Sequence, residues 1–446
     1  MMLKEKLLNG EKSIGIWGIG YIGYSSMAHF ASRGVKCLGT DVDAGKVDRI
    51  NNGILPIHNI EYWLGFDTKP LVTSGMMRAT TEWQQLISED IPVHLVCIPT
   101  EKDDVPYDGI LIDVVAKLST FSKVSTKSPP LIMIESTLTP NTTEQTIIPA
   151  FEKKGMKVGR DILVGVAPRR DWFISPEKSL KNLPRVVGGT TPETTALMRE
   201  VLSIVCDTLL PAKDHRHAEL VKSIENAYRH VEITLANQLS LAYPDIDMRE
   251  VLALVGTKWN IGTYHPSFGT GGYCIPLSSQ YVLSGTRNAD RLSILHSAID
   301  TDRNLPAMVA ESVIKKGAKN IGILGLAYKG DLKVHTLSPT LRLVSHLKQQ
   351  GIKVKVHDPY YTAEEIKDIC GAETFRFPEG LSQFDAILIV ADHRDYQAIP
   401  HNKILPNLKN CKLIMDNTGI WRGFDFARTG IEYHLAGTEN WLGEPL

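Results

Sequence analysis

The chain has 446 residues, more than one hydrophobic core normally serves, so two or three domains are expected. Hydrophobic residues make up 43% and charged residues 22%, the balance of a soluble globular protein and not of a disordered or membrane-spanning one. Lys and Arg total 49 against 50 Asp and Glu; no net field calls for nucleic acid or an anionic membrane, and an anionic ligand must be met by local basic residues.

Six cysteines, Cys37, Cys97, Cys206, Cys274, Cys370 and Cys411, are scattered without a CxxC pair. That argues against a structural zinc site and a disulfide framework, and it fits a reducing cytoplasm. Cys97, inside the apolar run Val93 to Ile98, reads as a small buried hydrophobe. Met1 to Gly10 lacks an apolar core of signal-peptide length, and no run reaches the ~20 apolar residues of a membrane span. A cytoplasmic location is expected.

Ser13 to Trp17 reads as a strand, and Tyr21 to Arg33 as a helix ended at Gly34. Val35 to Thr40 is the next strand; Val93 to Pro99 and Leu131 to Glu135 are later ones. Alternation of this kind predicts a parallel sheet with helices on both faces. From Asp214 to Tyr243 the spacing of Leu220, Val221, Ile224, Ala227, Tyr228, Val231, Leu235 and Leu239 predicts one helix of ~30 residues, long for a globular protein. It suits a spine and a dimer surface. A second α/β unit follows, with strands Asn320 to Ala327, Ile352 to His357, Ala386 to Val390 and Leu413 to Met415, and a helix from Pro339 to Gln350 stopped at Gly351. The expected fold class is α/β, two Rossmann-like doubly wound domains joined by a long central helix. Boundaries are expected at 1–205, 206–315 and 316–446.

Gly18-Ile19-Gly20-Tyr21-Ile22-Gly23 follows a strand and opens a helix. Gly18 permits a tight turn, Gly20 lets backbone approach a pyrophosphate, and Gly23 packs helix on strand, with the amides of Tyr21 and Ile22 at the helix start. Asp41 ends the next strand, where a carboxylate accepts from both ribose hydroxyls and repels a 2′-phosphate. NAD is therefore expected over NADP. Thr100 and Thr137 sit just past two strand ends, where ligands bind in such sheets; each also suits a helix cap.

Cys274 stands behind a double glycine in Tyr264-His265-Pro266-Ser267-Phe268-Gly269-Thr270-Gly271-Gly272-Tyr273-Cys274. A thiolate beside a nicotinamide adds to an aldehyde and forms a thiohemiacetal that can lose a hydride. Lys222 and Asn226, four apart, share one face of the long helix. A lysine near Cys274 lowers the thiol pKa and polarises a developing alkoxide. A solvated lysine, a surface asparagine and a buried inert thiol fit the same spacing.

At these residues the chain resembles the UDP-glucose/GDP-mannose dehydrogenase family, the NAD-dependent nucleotide-sugar 6-dehydrogenases. The resemblance runs over nearly the whole length. It rests on Gly18-x-Gly20-x-x-Gly23 with Asp41, Glu135-Ser136-Thr137, Glu219-Leu220-Val221-Lys222 with Asn226, the loop from His265 to Cys274, and Gly325-Leu326-Ala327-Tyr328-Lys329. It implies oxidation of the C6 hydroxymethyl of a nucleotide-linked sugar to a carboxylate with two NAD+. Cys274 is implied as nucleophile, Lys222 as the lysine at C6 with Asn226 as its helper, and Thr137 as a residue near the nicotinamide and the catalytic water. Lys46 is implied beside the adenosine, with Thr100 also on the cofactor. Tyr264, His265, Ser267, Phe268 and Gly271 are implied over the sugar nucleotide, with Tyr328 and Lys329. A homodimer or higher homo-oligomer is implied, with no nucleic acid, membrane or metal partner. The run Glu225 to Arg229 resembles the branch acting on UDP-N-acetylhexosamines, whereas the Cys274 loop resembles the UDP-glucose branch, so the sugar stays open.

Four positions depart from the family pattern. Ser278 stands where an aspartate is usual. Arg169 follows Pro168 where a glutamate, assigned to proton transfer and thioester hydrolysis, is usual. Thr336 replaces an arginine and Lys333-Val334 an acidic pair. Asn260, or Lys258 without a gap, replaces an arginine that reaches the partner subunit. Asp171 is the candidate substitute carboxylate, with a helix cap or an Arg170 partner as its plain alternative. Three readings follow: a four-electron dehydrogenase with a rebuilt hydrolytic shell, a two-electron or otherwise altered oxidation, and an idle sugar-nucleotide binder.

Overall fold

The computed structural model describes residues 2–57, 60–124, 128–170 and 178–443. Asp171 lies outside the described residues. The chain forms two compact units, Met1–Glu225 with Gln280–Arg287, and Asn226–Ser279 with Asn288–Leu446.

In the first unit, β1 (Ile14–Trp17) leads into α1 (Tyr21–Ala31), followed by β2 (Cys37–Thr40), β3 (Met77–Thr80), β4 (Val93–Val96), β5 (Leu131–Ile134), β6 (Leu163–Val166), β7 (Arg185–Gly189) and β8 (Leu209–Pro211). The sheet order is β8-β7-β6-β5-β4-β1-β2-β3. Every neighbouring pair is parallel except β6 with β7. β1, β4 and β5 are buried at every residue, because helices cover both faces and a strand so placed has no polar side. The strand order reverses between β1 and β4, and ligands bind outside the carboxyl ends of strands at such a switch point.

The long helix is α2 (His215–Ala242). α4 (Ile275–Ser284) begins in the second unit and ends in the first; in the second unit, α3 (Met248–Val255) and α5 (Ser293–Lys315) precede β9 (Asn320–Leu324), α6 (Pro339–Gln349), β10 (Lys353–His357), β11 (Ala386–Ile389), β12 (Leu413–Asp416) and β13 (Glu432–Leu435). This sheet is wholly parallel, in the order β10-β9-β11-β12-β13, with its switch point between β9 and β11. Phe268 enters its core beside Leu305, Val309 and Leu343 and stacks on Trp441 with ring centroids 6.0 Å apart.

The long helix is inverted relative to the usual amphipathic pattern. Leu220 and Ile224 are 38% exposed, Leu235 53% and Tyr228 71%, while Lys222, Asn226, His230, Thr234 and Asn237 are buried. These buried polar residues recur at three- or four-residue intervals and form one stripe along the helix. The apolar spacing located the helix, and its buried face is nonetheless the polar one.

Glu135, just past β5, gathers several polar partners in the first unit. It is wholly buried. Arg185 Nη2 donates to its Oε1 at 2.5 Å, the Ser26 hydroxyl to its Oε2 at 2.5 Å, and the Cys97 thiol to its Oε2 at 3.3 Å. Arg169 Nη1 stands 3.9 Å from Oε2 and donates to Ser26 Oγ at 2.5 Å. Burial works to raise the carboxyl, but the charges of Arg185 and Arg169 and the Ser26 hydroxyl outweigh it and hold it below the ordinary carboxylate value. A carboxyl lowered on folding stabilises the native state above its unfolded value, and that stability is lost as pH falls through the folded one. Arg185→Met is expected to cost about 3–5 kcal/mol in urea unfolding near pH 7.5, because it leaves a buried charge poorly paired. The gap to the wild type is expected to narrow in the acid range; an equal gap at both pH values speaks against an ionised Glu135.

Candidate active site

The cofactor crevice is assembled from three loops at the carboxyl ends of β1, β4 and β5. Gly18 has φ +83°, and a Cβ there would stand 2.7 Å from the Cys97 carbonyl oxygen. A Cβ on Gly23 would overlap the Gly18 carbonyl, whereas one on Gly20 would meet nothing within 4 Å. The turn is thus closed toward the protein and open at Gly20. Gly20 is the N-cap of α1, so the turn leads straight into the helix N-terminus, where a phosphate is met. Asp41 follows β2, and its Oδ2 accepts from Ile19 N at 2.8 Å and Lys46 Nζ at 2.9 Å. Lys46 thus stands on the carboxylate expected to meet the ribose. A glycine turn at a helix N-terminus beside one carboxylate fits a dinucleotide.

Thr100 and Thr137 come together. The Thr100 hydroxyl donates to the Thr137 carbonyl at 2.6 Å, and the Tyr281 hydroxyl donates to the Thr100 carbonyl at 3.1 Å. Neither threonine begins a helix: Thr100 leads into the hairpin strands Glu101–Lys102 and Val105–Pro106. Arg169, in the place of the family's glutamate, is turned inward onto Ser25 and Ser26 and is 4% exposed.

On the α2 stripe, Lys222 is 8% exposed and makes no hydrogen bond or ion pair among the described residues. One turn later Asn226 Nδ2 donates to Ser278 Oγ at 3.1 Å. The serine that replaces the family's aspartate therefore acts as an acceptor for Asn226. Cys274 stands immediately before α4, and its carbonyl accepts from Ser278 N at 3.3 Å. A thiol at a helix N-terminus sits where the aligned peptide dipoles favour a thiolate. Cys274 is partly exposed, whereas Cys37, Cys97, Cys206 and Cys411 are buried. Burial raises all four of those thiols, Cys411 to about 12.

The segment before Cys274 has no regular structure, and side chains from several elements hold it. Ser267 N donates to Asn237 Oδ1 at 2.7 Å, Phe268 N to Asn417 Oδ1 at 2.7 Å, and Thr270 N to Asp302 Oδ1 at 2.5 Å. Gly272 N donates to the Thr336 carbonyl at 2.7 Å. Arg249 donates to the carbonyls of Pro266, Asn417 and Ala436. A Cβ on Gly271 or Gly272 would strike Tyr328, and Gly272 has φ +79°, so the Tyr328 ring lies directly on the double glycine. The loop is thereby seated at the carboxyl ends of β9 and β12, next to Tyr328 and Asn417, with the partly buried Lys329 following. His265 is exposed; burial first, then the Arg249 charge, lowers it. Tyr264 takes another direction: its phenol is raised by burial, then by Glu232 of α2, and it lines a groove along α2 and α3.

The remaining departures are accounted for locally. Lys333 pairs with Glu365 at 2.6 Å on the surface, and Lys258 and Asn260 are exposed. The motif search missed Asn237, Arg249, Asp302 and Asn417, the residues that hold the loop. Their one signal is position, Asn417 just past a strand end and the others on helices.

The second sheet carries its own carboxylate at the matching strand end. Asp358 follows β10, and its Oδ2 accepts from Leu326 N and Ala327 N, each at 2.9 Å, and lies 3.1 Å from His393 Nε2. Its Oδ1 accepts from Tyr360 N at 2.9 Å. The side chain is 0% exposed, and hydrogen bonding to His393 and the backbone holds it low against the pull of burial.

Comparison with known proteins agrees with this arrangement. Family models of the UDP-glucose/GDP-mannose dehydrogenase family match in order: the NAD binding domain at residues 12–205, the central domain at 216–304 and the UDP binding domain at 322–423. Relatives include the UDP-N-acetyl-D-mannosamine dehydrogenase of Methanococcus aeolicus, 27% identical over 96% of this chain and 96% of that one. Protein CapL of Staphylococcus aureus is 27% identical over 92% of this chain and 96% of its own. Among solved structures, the UDP-D-ManNAc dehydrogenase of Pyrococcus horikoshii superimposes with a TM-score of 0.81 at 26% identity, covering 95% of this chain and 99% of that one. The UDP-glucose dehydrogenase of Pyrobaculum islandicum, at 20% identity, shares the fold with a TM-score of 0.80, covering 97% and 98%. The chain belongs to the UDP-glucose/GDP-mannose dehydrogenase family and is an NAD-dependent nucleotide-sugar dehydrogenase.

Proposed function

We propose that the protein oxidises C6 of UDP-N-acetyl-D-mannosamine, or of a closely related UDP-N-acetylhexosamine, from alcohol to carboxylate through a Cys274 thiohemiacetal and thioester. The observation that carries this reading is Lys222, 8% exposed and without a hydrogen bond or ion pair among the described residues, one turn from Asn226. An ammonium held there with no protein partner is available to an oxyanion developing at C6. The 27% identity to UDP-N-acetyl-D-mannosamine dehydrogenases supports the choice of sugar.

Bound NAD supplies the hydride acceptor for each of the two oxidations. The first removes two electrons and the hydroxyl proton and leaves an aldehyde at C6. The Cys274 thiolate adds to that carbon, while Lys222 and the second N–H of Asn226 hold its oxygen. Loss of a second hydride gives the thioester, and water displaces the thiol to release the uronate. Gly18, Gly20, Gly23, Tyr21 and Ile22 hold the pyrophosphate in this reading, Asp41 and Lys46 the ribose side, and Thr100 and Thr137 the nicotinamide end. Ser267, Phe268, Gly271, Tyr328 and Lys329 hold the sugar nucleotide, with His265 and Tyr264 at its margin. The functional division 1–205, 206–315 and 316–446 follows, and the three matched family segments support it.

A second reading is favoured by one observation: positions 169 and 278 carry no carboxylate, and both side chains are committed to other partners. The thioester is then released slowly. The electron count separates the readings. With UDP-N-acetyl-D-mannosamine the first predicts two NADH per sugar and a uronate by mass analysis. One NADH per sugar, or an acylated Cys274 peptide accumulating after acid quench, favours the second. Cys274→Ser is expected to abolish uronate formation, and Lys222→Met to lower kcat on the order of 10²–10³-fold, as loss of an oxyanion donor does.

The exposed apolar face of α2 and α3 suits a second copy of this chain. Leu254 of α3 is 65% exposed and Trp259, in the turn after it, 92%, and the two helices line an apolar groove with Leu235, Leu239, Val251 and Val255; apolar surface gathered in this way marks an interaction site. A homodimer in a reducing cytoplasm is the proposed state. Light scattering is expected to give twice the chain mass for wild type and the chain mass for Leu254→Asp with Trp259→Asp. A monomeric wild type rules the surface out.

A further inference from the structure

The segment that carries Cys274 is tied at both ends to one buried pair. On its near side Asp302 of α5 accepts from Thr270 twice, from the backbone N–H at 2.5 Å and from the hydroxyl at 2.8 Å. On its far side His230 Nδ1 lies 2.9 Å from Ser279 Oγ, in the first turns of α4. His230 Nε2 stands 4.0 Å from Asp302 Oδ2 and has no hydrogen-bond partner among the described residues. His230 is 0% exposed and Asp302 6%. Asp302 and His230 thus meet beneath the loop, and Cys274 lies between the two points they hold.

Neither residue earns its place by packing alone. A leucine at each site fills a buried position without desolvating a carboxyl and an imidazole. Burial raises the Asp302 carboxyl and lowers the His230 imidazole, so both are driven toward neutrality while they remain hydrogen-bonded to the loop. The double glycine between the two ties has no side chain to lock it except through Tyr328. A thiol placed after such a turn wanders unless its flanks are fixed.

We propose that Asp302 and His230 form a positioning pair that clamps the Thr270 to Ser279 segment from beneath and so fixes the direction of the Cys274 thiol. This rests on the reading of Cys274 as nucleophile, and it assigns neither residue a proton-transfer step. The pair acts through Thr270 and Ser279 and touches no reacting atom.

The test uses the full-length protein and the variants Thr270→Val, Ser279→Ala, Asp302→Asn and Asp302→Ala. Two readouts are taken: kcat and KM for UDP-N-acetyl-D-mannosamine, and the iodoacetamide alkylation rate of Cys274, followed by peptide mass. The Kd for NAD reports integrity of the first unit, and circular dichroism that of the whole chain. Thr270→Val and Ser279→Ala remove one hydrogen bond each and are mild enough to fold. Each is expected to lower kcat about 3- to 30-fold, with KM and NAD affinity changed less than about threefold, and to change the alkylation rate by a similar factor. Asp302→Asn keeps an acceptor for the Thr270 amide and is expected to recover most of the activity lost in Asp302→Ala. Wild-type kcat and alkylation in both mild variants overturn the proposal, whatever Asp302→Ala does. If wild type itself forms no NADH with the sugar nucleotide, the functional reading fails, and alkylation still decides whether the clamp sets the thiol.

Discussion

A long helix that buries polar side chains must find each of them a partner, and this obligation organises the site. On α2 the buried stripe runs from Lys222 to Ser240. A buried polar group without a hydrogen bond costs about 1–3 kcal/mol, so the stripe recruits other parts of the chain. Ser223 donates to the Leu138 carbonyl, Asn226 to Ser278, His230 pairs with Ser279, and Asn237 accepts from Ser267. The side chains of α2 thus hold three segments: the loop at Leu138, α4 and the loop at Ser267. Lys222 and Thr234 make no such bond among the described residues, and Lys222, the charged one, is where the proposed oxyanion is met.

The same logic explains how an irregular segment can carry Cys274, the proposed nucleophile. Backbone donors buried in a loop have no ladder to join and need side chains. Asn237, Asp302 and Asn417 each accept from one of them, and Arg249 gathers three carbonyls. The loop is as firmly held as a strand, while its double glycine still lets Tyr328 approach. The departures at Arg169 and Ser278 have a common character. Each puts a group bonded inward, to Glu135's neighbourhood and to Asn226, where the family pattern has a carboxylate. In the proposed mechanism hydride transfer calls on neither side chain, and the burden falls on release of the thioester.

Much of this was legible in the residues. The Gly18 to Gly23 turn, Asp41, the long helix and the strand starts all follow from local rules, because a turn, a cap and a continuous apolar run are decided by neighbours in the chain. Some strand ends are overextended, by three residues at Pro99 and Ala327 and by one at Glu135 and Val390, because the run of buried residues continues into the loop beyond the ladder. What sequence could not show was the direction in which α2 faces. Its apolar spacing is real, but the apolar residues lie outward and the polar ones inward, since burial is decided by tertiary partners that periodicity does not encode. For the same reason Asn237, Arg249, Asp302 and Asn417 carried no motif. Arg169 read as a missing glutamate, and only the fold reveals that it serves Glu135.

A protein with two crevices of related design faces self-competition: the cofactor, abundant in any cell, can lodge in the crevice meant for the other ligand. Asp358 differs from Asp41 chiefly in burial. Asp41 is 9% exposed and holds two amides and Lys46, whereas Asp358 is sealed, its oxygens taken by three amides and His393. A ribose that reaches the second crevice, whether of a cofactor or of a nucleotide sugar, meets a carboxylate already spent on its own turn and must be held by other groups. The two strand-end carboxylates are therefore not interchangeable: a change at Asp41 bears on the ribose side proposed for the cofactor, and a change at Asp358 bears first on the fold of its turn.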